Sequence, residues 1–336
     1  MPAQLETKYL GLSLKNPVVA SAGPLTGDVE TLRDLEQAGV AAAVLPSLFE
    51  EQISHDEQRV HAFYEFQSHA SAESLSYFPR LNDYNVGPRE YLRLLDEAKS
   101  AVAIPVIGSL NGSTPGGWAR YAKLIEDAGA DAIELNIYFV ATDPTMSSAD
   151  VEQRYIDLVA TVRDAVRIPL AVKIGAQFSN LTNFVPRLAT AGANGVVLFN
   201  RYLEPDIDLE KLQVTPQLVL SNRHELRLPL RWIAILRDQV PISLAATSGI
   251  HYPEDVIKLL LVGADVCMLT STLLRHGVDY VSEMLAAIQK WLDDKDYESV
   301  EQLKGSMSYG NCPDSGNLER ANYMKAIVSY TAAYTA

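Results

Sequence analysis

The stretch LLLVGADVCMLT (259–270) joins a helix-like apolar segment to a second, shorter apolar run through a single glycine. The same pattern occurs three more times in the chain, as LEQAGVAAAVLP (35–46), IEDAGADAIELN (125–136) and LATAGANGVVLFN (188–200). Because glycine readily adopts the left-handed conformation that ends many helices, each copy predicts a helix that stops at Gly39, Gly129, Gly192 or Gly263. A buried strand should then begin at once, since connections of this kind are short in parallel sheets.

A second pattern precedes each copy of the first, as NPVVASAG (16–23), IPVIGSLNG (104–112), IPLAVKIG (168–175) and VPISLAATSG (240–249). Each contains an early proline, which a strand tolerates at its start, and then an apolar run without polar alternation, which predicts a strand covered on both faces. The two patterns alternate four times and so predict eight parallel strands with helices between them, a (β/α)8 TIM barrel. A doubly wound open sheet does not explain this fourfold regularity.

The rest of the chain is predicted to form a hairpin, two insertions and a tail around that barrel. The start, LETKYLGLSLKNP (5–17), predicts a hairpin that caps the barrel bottom. Residues 47–95 and 201–230 are predicted insertions after strands two and six, at the end of the barrel that carries active sites. Because the sequence contains no recognisable linker, we expect one domain over residues 1–336, with a C-terminal tail from about 300 to 336 packed on it.

Composition narrows the choice of partners. The chain has 28 Lys and Arg against 42 Asp and Glu, a formal net charge of −14, so nucleic acids and anionic membrane surfaces are not expected to bind. Two cysteines, Cys267 and Cys312, are too few for a disulfide framework. The spacing of His55, His61 and His69 matches no recognisable metal site, so no metal is expected. No signal peptide or membrane-spanning run is visible, which predicts a cytoplasmic protein.

The predicted strand ends carry polar side chains. Small, hydroxyl-bearing residues follow strands seven and eight, where barrel phosphate sites are commonly built: Ser248, Gly249, Thr270 and Ser271. Simple helix capping by Ser and Thr is the alternative explanation. Lys173 and Asn136 end otherwise apolar strands, which indicates either hydrogen bonds at the barrel rim or a bound anionic ligand, because a buried unpaired ammonium is costly.

Five motifs, NPVVASAG, PVIGSLNG, AIELN, LAVKIG and SGI…DVIKLLLVGADVCMLTSTLL, together resemble the soluble, FMN-dependent dihydroorotate dehydrogenases over residues 5 to 290 or so. The resemblance implies FMN across the barrel mouth, with Lys173 facing the ring edge where a positive charge stabilises the reduced flavin. It also implies a homodimer. The cofactor-binding residues that it implies are Ser21, Ala22, Gly23, Ser47, Ser109, Asn136, Lys173, Asn200, Ser221, Ser248, Gly249, Thr270 and Ser271.

The chain departs from this family where a base should act. The family motif L-N-[LI]-S-[CS]-P-N corresponds to LNIYFVATD (135–143), so Phe139 occupies the position of the base and Ala141 that of an orotate-binding Asn. A phenyl ring cannot transfer a proton. The catalytic candidates are therefore Lys173, Asn136 and Tyr138. The family's T-K-S and G-x-S-G motifs are also altered, to LPS (45–47) and VLSN (219–222).

Four functions stay open on these grounds. The first is an FMN-dependent oxidoreductase that acts on a CH–CH bond of a small, anionic, pyrimidine-like substrate and passes electrons to an unidentified acceptor. The second is a dihydroorotate dehydrogenase of pyrimidine biosynthesis that uses Tyr138, an insertion histidine or water as base. The third is a non-catalytic flavin- or phosphate-binding module, and the fourth a barrel lyase or isomerase without flavin. Arg201 and Arg223 could bind a substrate carboxylate or pair with acidic side chains.

Overall fold

The computed structural model describes residues 2–49, 87–112, 117–201, 205–216, 218–320, 323–324 and 327–329. Within them, eight parallel strands form a closed barrel, because the strand that follows the first barrel strand pairs both with it and with the third. The predicted TIM barrel is confirmed. The barrel strands are β3 (Val18–Ala20), β4 (Ala42–Val44), β6 (Val106–Gly112), β7 (Ala132–Ile137), β8 (Leu170–Ile174), β9 (Gly195–Leu198), β12 (Ser243–Thr247) and β13 (Val266–Leu269).

Helices follow the barrel strands and pack their apolar faces on the sheet. They are α1 (Val29–Ala38), α2 (Pro88–Ala101), α3 (Trp118–Asp127), α4 (Ser148–Ala165), α5 (Leu181–Thr190), α6 (Arg227–Leu236), α7 (Pro253–Val262), α8 (Ser271–His276) and α9 (Tyr280–Asp294), followed by α10 (Val300–Leu303) and α11 (Gly316–Glu319). The four predicted helix-ending glycines all have left-handed φ angles, between +90° at Gly129 and +113° at Gly263. None of the described helices is long and apolar enough to cross a membrane.

The barrel bottom is closed by the N-terminal hairpin of β1 (Thr7–Tyr9) and β2 (Leu12–Leu14), as predicted. Tyr9, Leu10 and Leu14 pack against inward-facing apolar residues of the barrel strands, such as Val19 and Val197. Tyr9 is fully buried, and this burial raises the pKa of its hydroxyl well above the ordinary value, with the negative charge of Glu134 as a second cause. The phenol therefore stays neutral and seals the lumen.

The repeated sequence pattern also forms the same hydrogen bond in several of its copies. In three copies, the second residue after the glycine accepts a hydrogen bond from the N–H near the start of a neighbouring barrel strand. The acceptor–donor pairs are Asp131 and Val106 (2.7 Å), Asn194 and Leu170 (2.9 Å), and Asp265 and Leu244 (2.8 Å). Each acceptor also contacts a basic side chain: Lys99, Arg163 and Arg237 respectively. The pattern thus ties adjacent strands together at their amino ends.

We expect Asp131→Ala to lower the free energy of unfolding by about 1–3 kcal/mol, because it leaves the N–H of Val106 without its acceptor. Asp131→Asn should cost clearly less, since the side-chain oxygen of Asn194 performs the same task in another unit. Urea denaturation of both variants measures the difference. Equal losses in the two variants would show that the charge of Asp131, and its pairing with Lys99, matters more than the strand tie.

Both predicted insertions begin at the carboxyl ends of barrel strands. The second contains an antiparallel hairpin of β10 (Pro205–Asp208) and β11 (Gln213–Pro216). The first begins with β5 (Leu48–Phe49), which pairs with β6. The three insertion histidines, His55, His61 and His69, lie outside the described residues.

The predicted C-terminal tail packs on the barrel helices over its first part. Met307 donates its N–H to the carbonyl of Leu261 (2.8 Å), and Tyr309 does so to that of Ala234 (2.9 Å), so this segment lies against α7 and α6. Farther along, the side chains of Tyr323 and Met324 are exposed.

Candidate functional site

A polar layer lies at the top of the barrel lumen. Side chains alternate across a strand, so Glu134 and Asn136 face the lumen above Ala132, and Lys173 faces it above Ala171. The lower residues belong to the apolar interior that Tyr9 closes from below. The change from apolar to polar along each strand therefore places chemistry-bearing groups at the carboxyl ends.

A buried ion pair forms the base of this layer. The Lys173 ammonium lies 3.4 Å from Oε1 of Glu134 and 3.4 Å from the hydroxyl of Ser21. Glu134 is fully buried and Lys173 is 7% exposed, while Oε2 of Glu134 has no hydrogen-bond partner. A carboxylate this deep is stable only beside a compensating cation. Lys173 therefore has two tasks, to balance Glu134 and to present charge to the space above.

That space is a cavity of about 480 Å³. Its volume is in the range of small-molecule and cofactor sites. Among the described residues that line it are ten of those predicted to bind the cofactor: Ser21, Ala22, Gly23, Lys173, Asn200, Ser221, Ser248, Gly249, Thr270 and Ser271.

Three segments far apart in sequence meet at one end of the cavity. The N–H of Gly249 donates to the hydroxyl of Ser221 (3.3 Å), and the N–H of Ser221 donates to the hydroxyl of Ser271 (3.1 Å). Ser248 and Gly249 have φ angles of +77° and +74°. A Cβ on Gly249 would lie 2.3 Å from the backbone nitrogen of Leu226, so only glycine fits there. Hydroxyls and backbone N–H groups converge at this end.

Below this end lies His251, which sequence reasoning missed. It is 3% exposed, and its Nε2 lies 3.4 Å from the hydroxyl of Ser221, while Nδ1 has no hydrogen-bond partner. Burial, and then the positive charge of Arg275, lower the pKa of this imidazole. The ring is therefore neutral at pH 7 and supports the Ser221 hydroxyl. Its place directly after the strand-seven loop, at SGIH (248–251), was the available signal.

Asn136 is hydrogen-bonded to a residue of the cavity wall. Its Oδ1 accepts a hydrogen bond of 2.7 Å from Nδ2 of Asn200, which lines the cavity wall. Three other predicted residues, Ser47, Ser109 and Tyr138, are not among the described residues that line the cavity. The hydroxyls of Ser47 and Ser109 bond to each other at 2.8 Å.

Tyr91, on α2, supports Ser109 from behind. Its hydroxyl accepts the N–H of Ser109 (2.7 Å) and donates to the carbonyl of the same residue (3.2 Å). Burial raises the pKa of the Tyr91 hydroxyl, so it stays protonated. Sequence reasoning did not single out Tyr91, because the contact depends on how α2 packs on β6.

The segment after β7 carries no acid–base group at the position of Phe139. The Phe139 ring packs against the hydrophobic core, with the guanidinium carbon of Arg154 4.2 Å from its centroid. Tyr138 is half-buried, and its N–H donates to the carbonyl of Gly112 (3.2 Å).

The two arginines considered as carboxylate binders both have acidic partners. Arg223 pairs with fully buried Asp255 at 2.8 Å, and Asp255 also accepts the N–H groups of His251 and Tyr252. Arg201 pairs with Glu225 at 2.8 Å. Arg223 is thus part of the scaffold beneath the Ser248–Gly249 loop, whereas Arg201 lines the cavity as well.

The sequence analysis did not predict which apolar residues line the cavity. Phe199, Met268 and the insertion residues Leu218 and Leu220 contribute the non-polar walls of the cavity. For the two leucines the only signal was the position of the insertion after β9 at the catalytic end. In the part of the chain that the structure describes, no three His, Cys, Asp or Glu side chains are grouped to hold a metal ion.

The sequence matches the family model described as dihydroorotate dehydrogenase over residues 4–292. Among similar proteins is the putative dihydroorotate dehydrogenase A (fumarate) of Aeropyrum pernix, 24% identical over 310 residues, which are 90% of this chain and 97% of that protein. The catalytic subunit of dihydroorotate dehydrogenase B (NAD(+)) of Methanosarcina acetivorans is 26% identical over 91% of this chain and 98% of its own length. The corresponding subunit of Thermoplasma volcanium is 24% identical over 90% and 98%.

Proposed function

The chain belongs to the dihydroorotate dehydrogenase family, and we propose that it is an FMN-dependent oxidoreductase acting on a CH–CH bond of a small, anionic, pyrimidine-like substrate other than dihydroorotate. One observation carries this proposal. A single cavity at the carboxyl ends of the barrel strands contains both the buried cation Lys173 and the converging hydroxyl and N–H groups of Ser221, Ser248 and Gly249. These are the two kinds of group that a phosphate-bearing flavin requires.

The residues present fit FMN. The phosphate would be held by the loops of Ser248–Gly249 and Thr270–Ser271 with Ser221, because hydroxyl and backbone N–H groups that converge in this way bind oxyanions. The apolar side chains of Phe199 and Met268 offer surface for a flat ring system. When bound, FMN supplies hydride transfer.

The chain's own groups set the charge and orientation in the cavity. Lys173 presents a positive charge that Glu134 holds in place, which favours anionic forms of a bound ring or substrate. The hydrogen bond from Asn200 to Asn136 orients the Asn200 amide on the cavity wall, so that its carbonyl oxygen is left as an acceptor for a ligand. Together these groups suit a planar ligand with alternating donors and acceptors.

The substrate difference is inferred from the segment after β7. Phe139 has no proton to transfer, and Ala141 has no amide, so the two side chains through which the family handles dihydroorotate are missing. A second candidate function, orotate formation with Tyr138 or another group as the base, is favoured by the match over residues 4–292. An electron acceptor completes either cycle, and we propose a homodimer from the family.

The test is the visible spectrum of the purified protein, recorded without oxygen before and after addition of dihydroorotate. We expect bound FMN that dithionite bleaches and dihydroorotate does not. Bleaching by dihydroorotate would overturn the altered-substrate proposal and favour the second candidate. A colourless protein that does not take up added FMN would refute the flavin assignment altogether.

Phe139→Cys is the matched variant for the missing base. A correctly placed general base contributes about 10²–10⁴ in rate, so restoring the thiol to a site otherwise suited to dihydroorotate would produce measurable flavin reduction. We expect no reduction, because Ala141 still lacks the amide. Anaerobic stopped-flow absorbance measures the rate. Rapid bleaching in Phe139→Cys would mean that only the base separates this site from orotate chemistry.

A further inference from the structure

A second cavity, of about 410 Å³, adjoins the first. The two share a wall formed by Phe199, Asn200, Arg201 and Ser248. The second cavity extends from this wall towards the loop after β8, at Ala176 and Gln177, and the start of α6. It therefore lies beside the proposed flavin site and, apart from this shared wall, is lined by different side chains.

The lining of this cavity is strongly basic. It contains Arg201, His224, Arg227 and Arg231 but, among the described residues, only the carboxylate of Glu225. That carboxylate is already paired with Arg201 at 2.8 Å. A chain with a net charge of −14 has here a local excess of positive charge.

Arg227 and Arg231 carry that excess. They stand four residues apart on α6, so they share one face of the helix, and like charges at this spacing repel. Both are exposed, and neither forms an ion pair with a carboxylate in the described part of the chain. By contrast, Arg223 and Arg237, at the two ends of the same segment, pair with Asp255 and Asp265. The two cavity arginines are thus the uncompensated ones of this segment.

The remaining walls are apolar. Ala176, Phe199, Leu228 and Pro229 line the cavity together with the amide of Gln177. A bare inorganic ion would leave these surfaces without contacts, whereas an organic anion would cover them. We propose that this cavity binds a small organic dianion, with its carboxylate or phosphate oxygens on Arg227 and Arg231 and its carbon skeleton against Ala176 and Leu228.

The experiment uses the full chain with FMN added, so that the oxyanion-binding end of the first cavity is occupied. Succinate and phenyl phosphate are the probes, and isothermal titration calorimetry measures their binding. We expect saturable binding of at least one probe, and the one that binds more tightly identifies the preferred oxyanion. Arg227→Ser/Arg231→Ser should weaken binding at least tenfold.

Arg33→Ser/Arg167→Ser is the matched control, because it removes the same charge from exposed positions outside both cavities. It should change affinity less than twofold. Absence of saturable binding of both probes, or equal weakening in the two double variants, would overturn the proposal. Lys173 does not line this cavity, so failure of the dianion proposal would leave the flavin assignment untouched. Conversely, a protein that takes up no FMN could still bind the dianion.

Discussion

Replacing Lys173 with methionine is expected to lower the free energy of unfolding by about 3–5 kcal/mol, because it leaves a buried carboxylate without its cation. Glu134 is fully buried, lies 3.4 Å from the Lys173 ammonium, and already has one oxygen without a hydrogen-bond partner. The same change should weaken FMN binding and make the reduced flavin harder to form, since the cation in the cavity is lost. Urea denaturation and spectroelectrochemical titration measure the two effects.

The double variant Glu134→Gln/Lys173→Met separates these effects. Without the carboxylate, methionine is an acceptable neighbour, so most of the lost stability should return. Flavin affinity and potential should stay perturbed, because the double variant still lacks the ammonium. Equal instability of the single and double variants would show that packing, and not charge, is responsible. An unchanged flavin spectrum, affinity and reduction rate would remove Lys173 from the cofactor site.

Gly249→Ala is expected to abolish FMN binding and to destabilise the protein by more than about 3 kcal/mol. The residue has a φ angle of +74°, which costs an alanine about 1–2 kcal/mol, and its new Cβ would lie 2.3 Å from the nitrogen of Leu226. Backbone must move to relieve this contact. The 3-10 turn Arg223–Leu226 would shift, and with it the Ser221 hydroxyl that receives the N–H of Gly249.

The variant Gly277→Ala measures what a positive φ angle costs in stability when the new Cβ makes no close contact. Gly277 has a φ angle of +83°, yet a Cβ there would meet no atom within 4 Å. Its ψ angle of 170° lies in a region that essentially only glycine adopts, so we expect the change to cost about 1–3 kcal/mol and to leave FMN binding unchanged. Thermal unfolding and FMN titration of the two variants give the comparison. If both variants lose the same stability and both bind FMN, the close approach of Gly249 to Leu226 is not important for the site.

The site and the fold use the same periodicity. Two-residue alternation places Ala132 in the apolar interior and Glu134 and Asn136 above it, so one strand serves both the core and the site. The charge of Glu134 is possible only because β8 pairs with β7 and so places Lys173 beside it. The stability of the barrel and the electrostatics of its mouth are therefore coupled through this pair.

Several features followed from the sequence alone. The alternation of two patterns predicted eight parallel strands, and the glycines at 39, 129, 192 and 263 marked helix ends, because left-handed backbone is a local preference of glycine. The same patterns predicted which residues end each strand. Ten of the thirteen cofactor-binding candidates consequently line one cavity, since strand ends converge in any closed barrel.

Tertiary structure alone decided which of those polar groups meet. Nothing in the spacing of Glu134 and Lys173, or of Ser221 and His251, shows that each pair touches; these contacts depend on strand register and loop packing over separations of 39 and 30 residues. The same holds for Ser47 and Ser109, whose hydroxyls bond to each other over a separation of 62 residues. Periodicity is a local property that a sequence displays, whereas pairing, burial and cavity shape arise from contacts between distant segments.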